Sequence, residues 1–165
     1  MKNFPFSTVQ RLTKRQAGAA AIEFALLLPI FIPFLTLGFF TASIFWHYTM
    51  AQKAAQDAVR YLATVPVAEM MTPALAEGAG AVARQIVMRE IADISPGSVV
   101  AKIDTFCNVS GNATIICGSG LATGTPPTAV RVTFSIAMFD PTGFIDTGWY
   151  GLQINADQTM RYVGN

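Results

Sequence analysis

Between Phe24 and Tyr48 the chain reads FALLLPIFIPFLTLGFFTASIFWHY, with no residue charged at neutral pH when His47 is neutral. A run of this kind predicts one apolar helix. Phe24 to Trp46 would span about 34 Å at the helical rise. That is enough to cross a hydrocarbon core of about 30 Å. Trp46 and Tyr48 stand where an interfacial aromatic belt belongs. The alternative is a buried helix of a soluble domain, but such helices rarely run so far without a charge. Pro29 and Pro33 lie inside the span, and they are tolerable in a membrane helix where a soluble helix would break. Each lacks an amide hydrogen, which leaves the carbonyls of Ala25 and Pro29 without their usual donors. The prolines therefore predict a kink, whether it is a plain bend or a point that yields when the helix leaves the bilayer.

Beyond Tyr48 the apolar positions keep a helical period. Ala51, Ala54, Ala55, Ala58 and Leu62 alternate with Gln52, Lys53, Gln56, Asp57 and Arg60. The small residues would admit another helix closely, and Asp57 with Arg60 would form a surface pair. Pro66 ends the segment, so one helix is predicted from about residue 19 to 64. A second helix is predicted over Pro73–Ile94, with Leu75, Ala79, Val82, Ala83, Ile86 and Ile94 inward. Gly78 and Gly80 would weaken its first turns, and Ser95-Pro96-Gly97 would stop it.

The period then changes to two. Val99–Phe106 reads as a strand. Over Thr128–Phe139, Val130, Val132, Phe134, Ile136 and Met138 share one face, opposite Arg131, Thr133 and Ser135. Gly118–Pro127 reads as a flexible loop and Asp140-Pro141-Thr142-Gly143 as a turn. Trp149–Asn155 and Thr159–Val163 read as the last one or two strands. The predicted fold class is α+β. A long N-terminal transmembrane helix extends into a stem, then come a second helix and a small antiparallel β-sheet head, in a lollipop arrangement.

Charge gives the direction of the span. Lys2, Arg11, Lys14 and Arg15 precede it, with no acidic residue before Glu23. The positive-inside rule places that end in the cytoplasm. Three regions follow: a basic cytoplasmic leader (1–18), a transmembrane helix (19–48) and an extracytoplasmic head with its stem (49–165). A removable secretory signal fits less well, because its apolar region is roughly 7–15 residues long and ends in a small-x-small site. Over the whole chain 13% of residues are charged and net charge is +1. That balance argues against a nucleic-acid partner, which asks for a basic patch. The head itself is charge-poor, as suits a surface that meets neighbouring subunits.

The junction before the span is more specific. It reads Lys14-Arg15-Gln16-Ala17-Gly18-Ala19-Ala20-Ala21-Ile22-Glu23-Phe24-Ala25-Leu26-Leu27-Leu28-Pro29. This resembles the prepilin-peptidase site of type IV pilin-like proteins. It is most similar to TadE/TadF-type pseudopilins of the tight-adherence (Tad) pilus, with their basic stretch followed by G-A-x-x-x-E-F-A-L-x-x-P. The resemblance implies cleavage between Gly18 and Ala19 on the cytoplasmic face. Glu23 would then be the fifth residue of the mature chain. It would pair with the new N-terminal amine of a neighbouring subunit, and Phe24 follows it in the same motif. Ala19 departs from the phenylalanine usual in type IV pilins. A carboxylate at the edge of an apolar segment is costly and tends to mark function. The other account of Glu23 places it among headgroups, near the positive end of the helix dipole.

Cys107 and Cys117 both follow the span. Outside the cytoplasm a disulfide between them is expected, closing a loop around Ser110-Gly111-Asn112. Two buried free thiols are the alternative. Their spacing is not C-x-x-C, and no metal or other cofactor is expected. His47 beside Trp46 reads as an interfacial residue rather than a base. The sequence has no P-loop, H-E-x-x-H, G-x-S-x-G or dinucleotide fingerprint, so no catalytic residue and no small-molecule substrate are assigned.

The resemblance implies a minor pseudopilin of the bacterial inner membrane, which helps assemble or initiate a pilus for surface adherence. Its partners would be the membrane, the prepilin peptidase, other pilin and pseudopilin subunits, and the inner-membrane assembly platform. The alternative is an uncleaved, single-pass accessory protein of a secretion or envelope complex. A membrane-tethered periplasmic enzyme is the third reading.

Overall fold

The structure is a computed structural model that describes residues 7–92, 94, 99–109, 113–119, 124–139 and 151–164. The predicted stop at Ser95-Pro96-Gly97, the tip Ser110-Gly111-Asn112 and the turn Asp140-Pro141-Thr142-Gly143 lie outside the described residues, as do Trp149 and Tyr150. Two compact units divide the chain, Met1–Ala42 and Ser43–Asn165.

Helix α1 covers Ser7–Thr64 and contains both Pro29 and Pro33. It begins twelve residues before the predicted start at 19, because Gln, Arg, Leu, Lys and Ala in residues 7–18 are good helix formers. Over residues 18–42 no residue of the helix is buried. Phe24, Leu26, Phe31 and Phe34 are each more than three-fifths exposed. A helix that is apolar all round is stable only where its surroundings are apolar too. Over Gly18–Thr64 it is long and apolar enough to cross a membrane. Thr36 and Thr41 direct their hydroxyls back to the helix, Thr36 Oγ1 donating to the Pro33 carbonyl at 2.9 Å and Thr41 Oγ1 to that of Leu37 at 2.7 Å. Polar groups that would otherwise meet lipid are satisfied within the segment.

The second unit is α+β. Its helices are the C-terminal part of α1, a single turn α2 (Val67–Met70) and α3 (Pro73–Ala92). The strands are β1 (Val99–Val109), β2 (Ala113–Ile116), β3 (Ala129–Met138) and β4 (Leu152–Arg161). They form one antiparallel sheet in the order β2-β1-β3-β4. The closing segment is therefore one strand, and β2 is an element that four residues of sequence did not reveal. Val130, Val132, Phe134, Ile136 and Met138 are all buried, as their alternation requires.

Ala51, Ala54, Ala55, Ala58 and Leu62 are completely buried. Their small side chains do admit close neighbours, but those neighbours belong to this chain. Gln158 Nε2 of β4 donates to Gln52 Oε1 at 2.7 Å, and Lys53 reaches Glu90 of α3 at 3.2 Å. Asp57 and Arg60 form no ion pair; the i+3 spacing allows one, but an exposed pair gains little over water.

Helix α3 is turned by about one residue from its predicted phase. Ala76, Ala79, Gly80, Ala83, Val87 and Ile91 face inward, whereas Leu75 and Val82 are 51% and 40% exposed. The physical reason is Gly80. A Cβ there would meet Thr105 Oγ1 at 2.9 Å, so the glycine lets α3 approach β1 and fixes which face turns inward. Sequence alone marks that glycine as a weakness of the helix. It is a contact.

Candidate functional site

The residues singled out in the sequence fall in two places. Gly18, Ala19, Glu23, Phe24, Pro29 and Pro33 lie on α1 within the first unit, and all are exposed. Cys107 and Cys117 lie in the second unit.

The described residues leave open space at Gly18, as they do at Gly38 and Gly78. A Cβ added to Gly18 would meet nothing within 4 Å, and its backbone is ordinary right-handed helix. A glycine inside a helix costs about 1 kcal/mol relative to alanine.

Glu23 stands one helical turn after Ala19, on the same face. Its position bears on the dipole part of the second account, not on a place among headgroups. Because α1 starts at Ser7, Glu23 lies more than four turns from the helix N-terminus, and dipole effects fade within the first turn. Phe24 is 67% exposed, at the head of the apolar surface. The helix runs on through both prolines. Their four-residue spacing puts Pro33 where the amide donor to the Pro29 carbonyl should be.

Cys107 and Cys117 are joined by a disulfide, Cα to Cα 5.0 Å, and both are buried. Cys107 belongs to β1 and pairs with Ile115 of β2, so the bond ties the shortest strand to the sheet. The next residue, Gly118, has φ +96°, and a Cβ there would lie 2.5 Å from that of Glu77. The cystine turn therefore seats against the first turns of α3. Its loop is held at the described ends as well, with the Gly124 amide donating to the Met71 carbonyl at 3.3 Å.

His47 turns inward rather than towards an interface. It is only 5% exposed and its Nδ1 lies 2.7 Å from the Ser43 carbonyl. Its helical phase matches Ala51, Ala54 and Ala58, so it opens the buried stripe of the stem. Trp46 and Tyr48, on other faces, remain 62% and 48% exposed. Among the described residues no three His, Cys, Asp or Glu side chains gather where they could hold a metal ion. On the outer face of the sheet Arg131 and Asp157 form a bidentate pair, with Arg131 Nε donating at 2.7 Å. That hydrogen bond, and then the charge of Asp157, raise the guanidinium pKa above its usual value.

The comparison with known families falls on this helix. Residues 18–60 match the family described as TadE-like protein. The chain carries a TadE-like segment. It begins at Gly18, takes in Glu23, Phe24 and both prolines, and ends at Arg60 in the buried part of the stem. Among the described residues one helix is long and apolar enough to cross a membrane, and the matched segment lies on it. No curated protein and no solved structure matches the chain.

Proposed function

We propose that this chain is a minor pseudopilin of a Tad-type pilus, matured by a prepilin peptidase that cuts between Gly18 and Ala19. Its action is assembly rather than catalysis, as for TadE-like pilus proteins. The helix anchors it in the bacterial inner membrane, N-terminus in the cytoplasm and head outside. Before cleavage Glu23 is deep inside a helix. Cleavage makes Ala19 the helix N-terminus, so Glu23 enters the region where the dipole favours a carboxylate, one turn from a new amine.

In the filament that carboxylate pairs with the amine of a neighbouring subunit and sets its register. Such a pair in low dielectric is favourable only while both charges are present. The alanine face of the stem is occupied by the chain's own head. Lateral packing therefore falls to the apolar surface from Phe24 to Ala42, where Pro29 and Pro33 give the helix a place to bend.

The observation that carries this reading is the TadE-like match, which starts at Gly18. Co-expression with a prepilin peptidase tests it. The chain should shorten on gels only in cells with active peptidase, and Gly18→Leu should stay full length. Identical mobility with and without peptidase would favour the uncleaved accessory protein.

A further inference from the structure

One end of the head carries exposed apolar side chains from α1, from β4 and from the residue that follows β3. Phe45 and Tyr48 of α1 are 65% and 48% exposed, and Phe139 and Leu152 are 42% and 39% exposed. All belong to the Ser43–Asn165 unit. Phe45, Tyr48 and Gln52 share one helical face. Gln52 Nε2 meets the Asn155 carbonyl of β4 at 3.5 Å. Farther along, the Val163 amide donates to the Ala63 carbonyl. Strand β4 therefore runs beside α1 in the same direction, and its start at Leu152 lies level with the helix just before Gln52. Leu152 pairs with Met138, which brings Phe139 to the same rim.

The depth of this rim follows from helix length. About 20 residues at about 1.5 Å each cover the hydrocarbon core. Counted from Phe24, that distance ends near Ser43. The headgroup layer adds about 5–7 Å on that side, which takes in Phe45, Trp46 and Tyr48. Between Phe24 and Gln52 there is no charged residue. Large aromatic and apolar side chains at headgroup level match what that layer accepts.

We propose that the rim formed by Phe45, Tyr48, Phe139 and Leu152 seats the head in the lipid headgroup layer. The occupant is lipid because Phe45 and Tyr48 follow, in the same helix, a stretch from Phe24 that carries no charged residue and is apolar enough to cross a membrane. The head is thereby held down on the bilayer until extraction into a filament exposes the rim. This rests on reading α1 as the membrane span.

The test uses the full chain in vesicles of phosphatidylethanolamine and phosphatidylglycerol, part of it brominated near the glycerol end of the acyl chains. Phe139→Trp and Leu152→Trp each supply a lone indole when Trp46→Phe and Trp149→Phe remove the native ones. Bromolipid should quench both indoles about twofold or more, as it should quench native Trp46 in a Trp149→Phe chain. An indole at the opposite end, from Val163→Trp, should be unaffected. If Trp46 is quenched but neither rim indole is, the rim does not meet lipid while the anchor stands. Emission from those unquenched indoles that shifts on dilution with lipid would assign the rim to a neighbouring subunit and likewise overturn the proposal. If Trp46 also escapes quenching, the membrane span itself fails and the proposal with it.

Discussion

The phenol of Tyr162 donates a 2.6 Å hydrogen bond to the carbonyl of Val65, just past the end of the stem helix. The amides of Val163 and Gly164 both donate to the Ala63 carbonyl. These bonds satisfy acceptors that a helix end leaves open. The last strand thus fastens the end of the stem to the head.

Tyr162→Phe should destabilise the head by about 1–2 kcal/mol, since Val65 keeps a buried carbonyl without its donor. The same tyrosine gives a pH signature. Burial, and then the nearby charge of Glu69, raise its pKa above 10.0. A group whose pKa is raised on folding contributes fully below its unfolded pKa and loses that contribution as pH rises through the folded one. Stability should therefore fall as pH rises above about 10, the unfolded value. Urea midpoints for Tyr162→Phe should fall less over that range; an equal fall in both proteins would remove Tyr162 as the cause.

Gly80→Val should cost more than the same change at Gly78. At Gly80 an added Cβ meets the Thr105 hydroxyl at 2.9 Å, whereas at Gly78 it meets nothing within 4 Å. Strain of this kind in a packed layer costs about 1–3 kcal/mol. Thermal unfolding of the two variants in the same detergent gives the comparison.

Removing both cysteines, as Cys107→Ser with Cys117→Ser, should cost about 3 kcal/mol, the loop entropy of a ten-residue separation. Non-reducing peptide mapping should find the 107–117 cystine in the native chain. Equal denaturation midpoints for the two chains would count against its structural role.

Glu23→Val should leave cleavage intact and impair assembly. The position is exposed and lies in a different compact unit from the head, so the variant should accumulate in membranes at normal levels while sheared pili are depleted of it. Normal incorporation would remove the register role.

The membrane helix was plain in the sequence because a 25-residue stretch without charge has few other uses. The buried face of the stem and the alternation of β3 were legible for a similar reason: period alone decides which side turns inward. Helix α3 was not. It carries apolar residues on two adjoining faces, and the choice between them was made by a glycine against Thr105, a contact that no period reports. His47 was misplaced because its neighbours Trp46 and Tyr48 suggest an interface, whereas its phase belongs with Ala51. Strand β2 is too short to show a period, though the cystine beside it marks where it pairs. As for the candidate site, Gly18 and Glu23 were visible as a motif. Only the fold shows that the helix begins well before the carboxylate.

The central claim is that the mature subunit begins at Ala19. Intact-mass measurement of the full-length gene product, extracted from membranes of cells with an active prepilin peptidase, tests it most directly. The account predicts a chain that has lost Met1–Gly18. A chain that still carries those residues would contradict it.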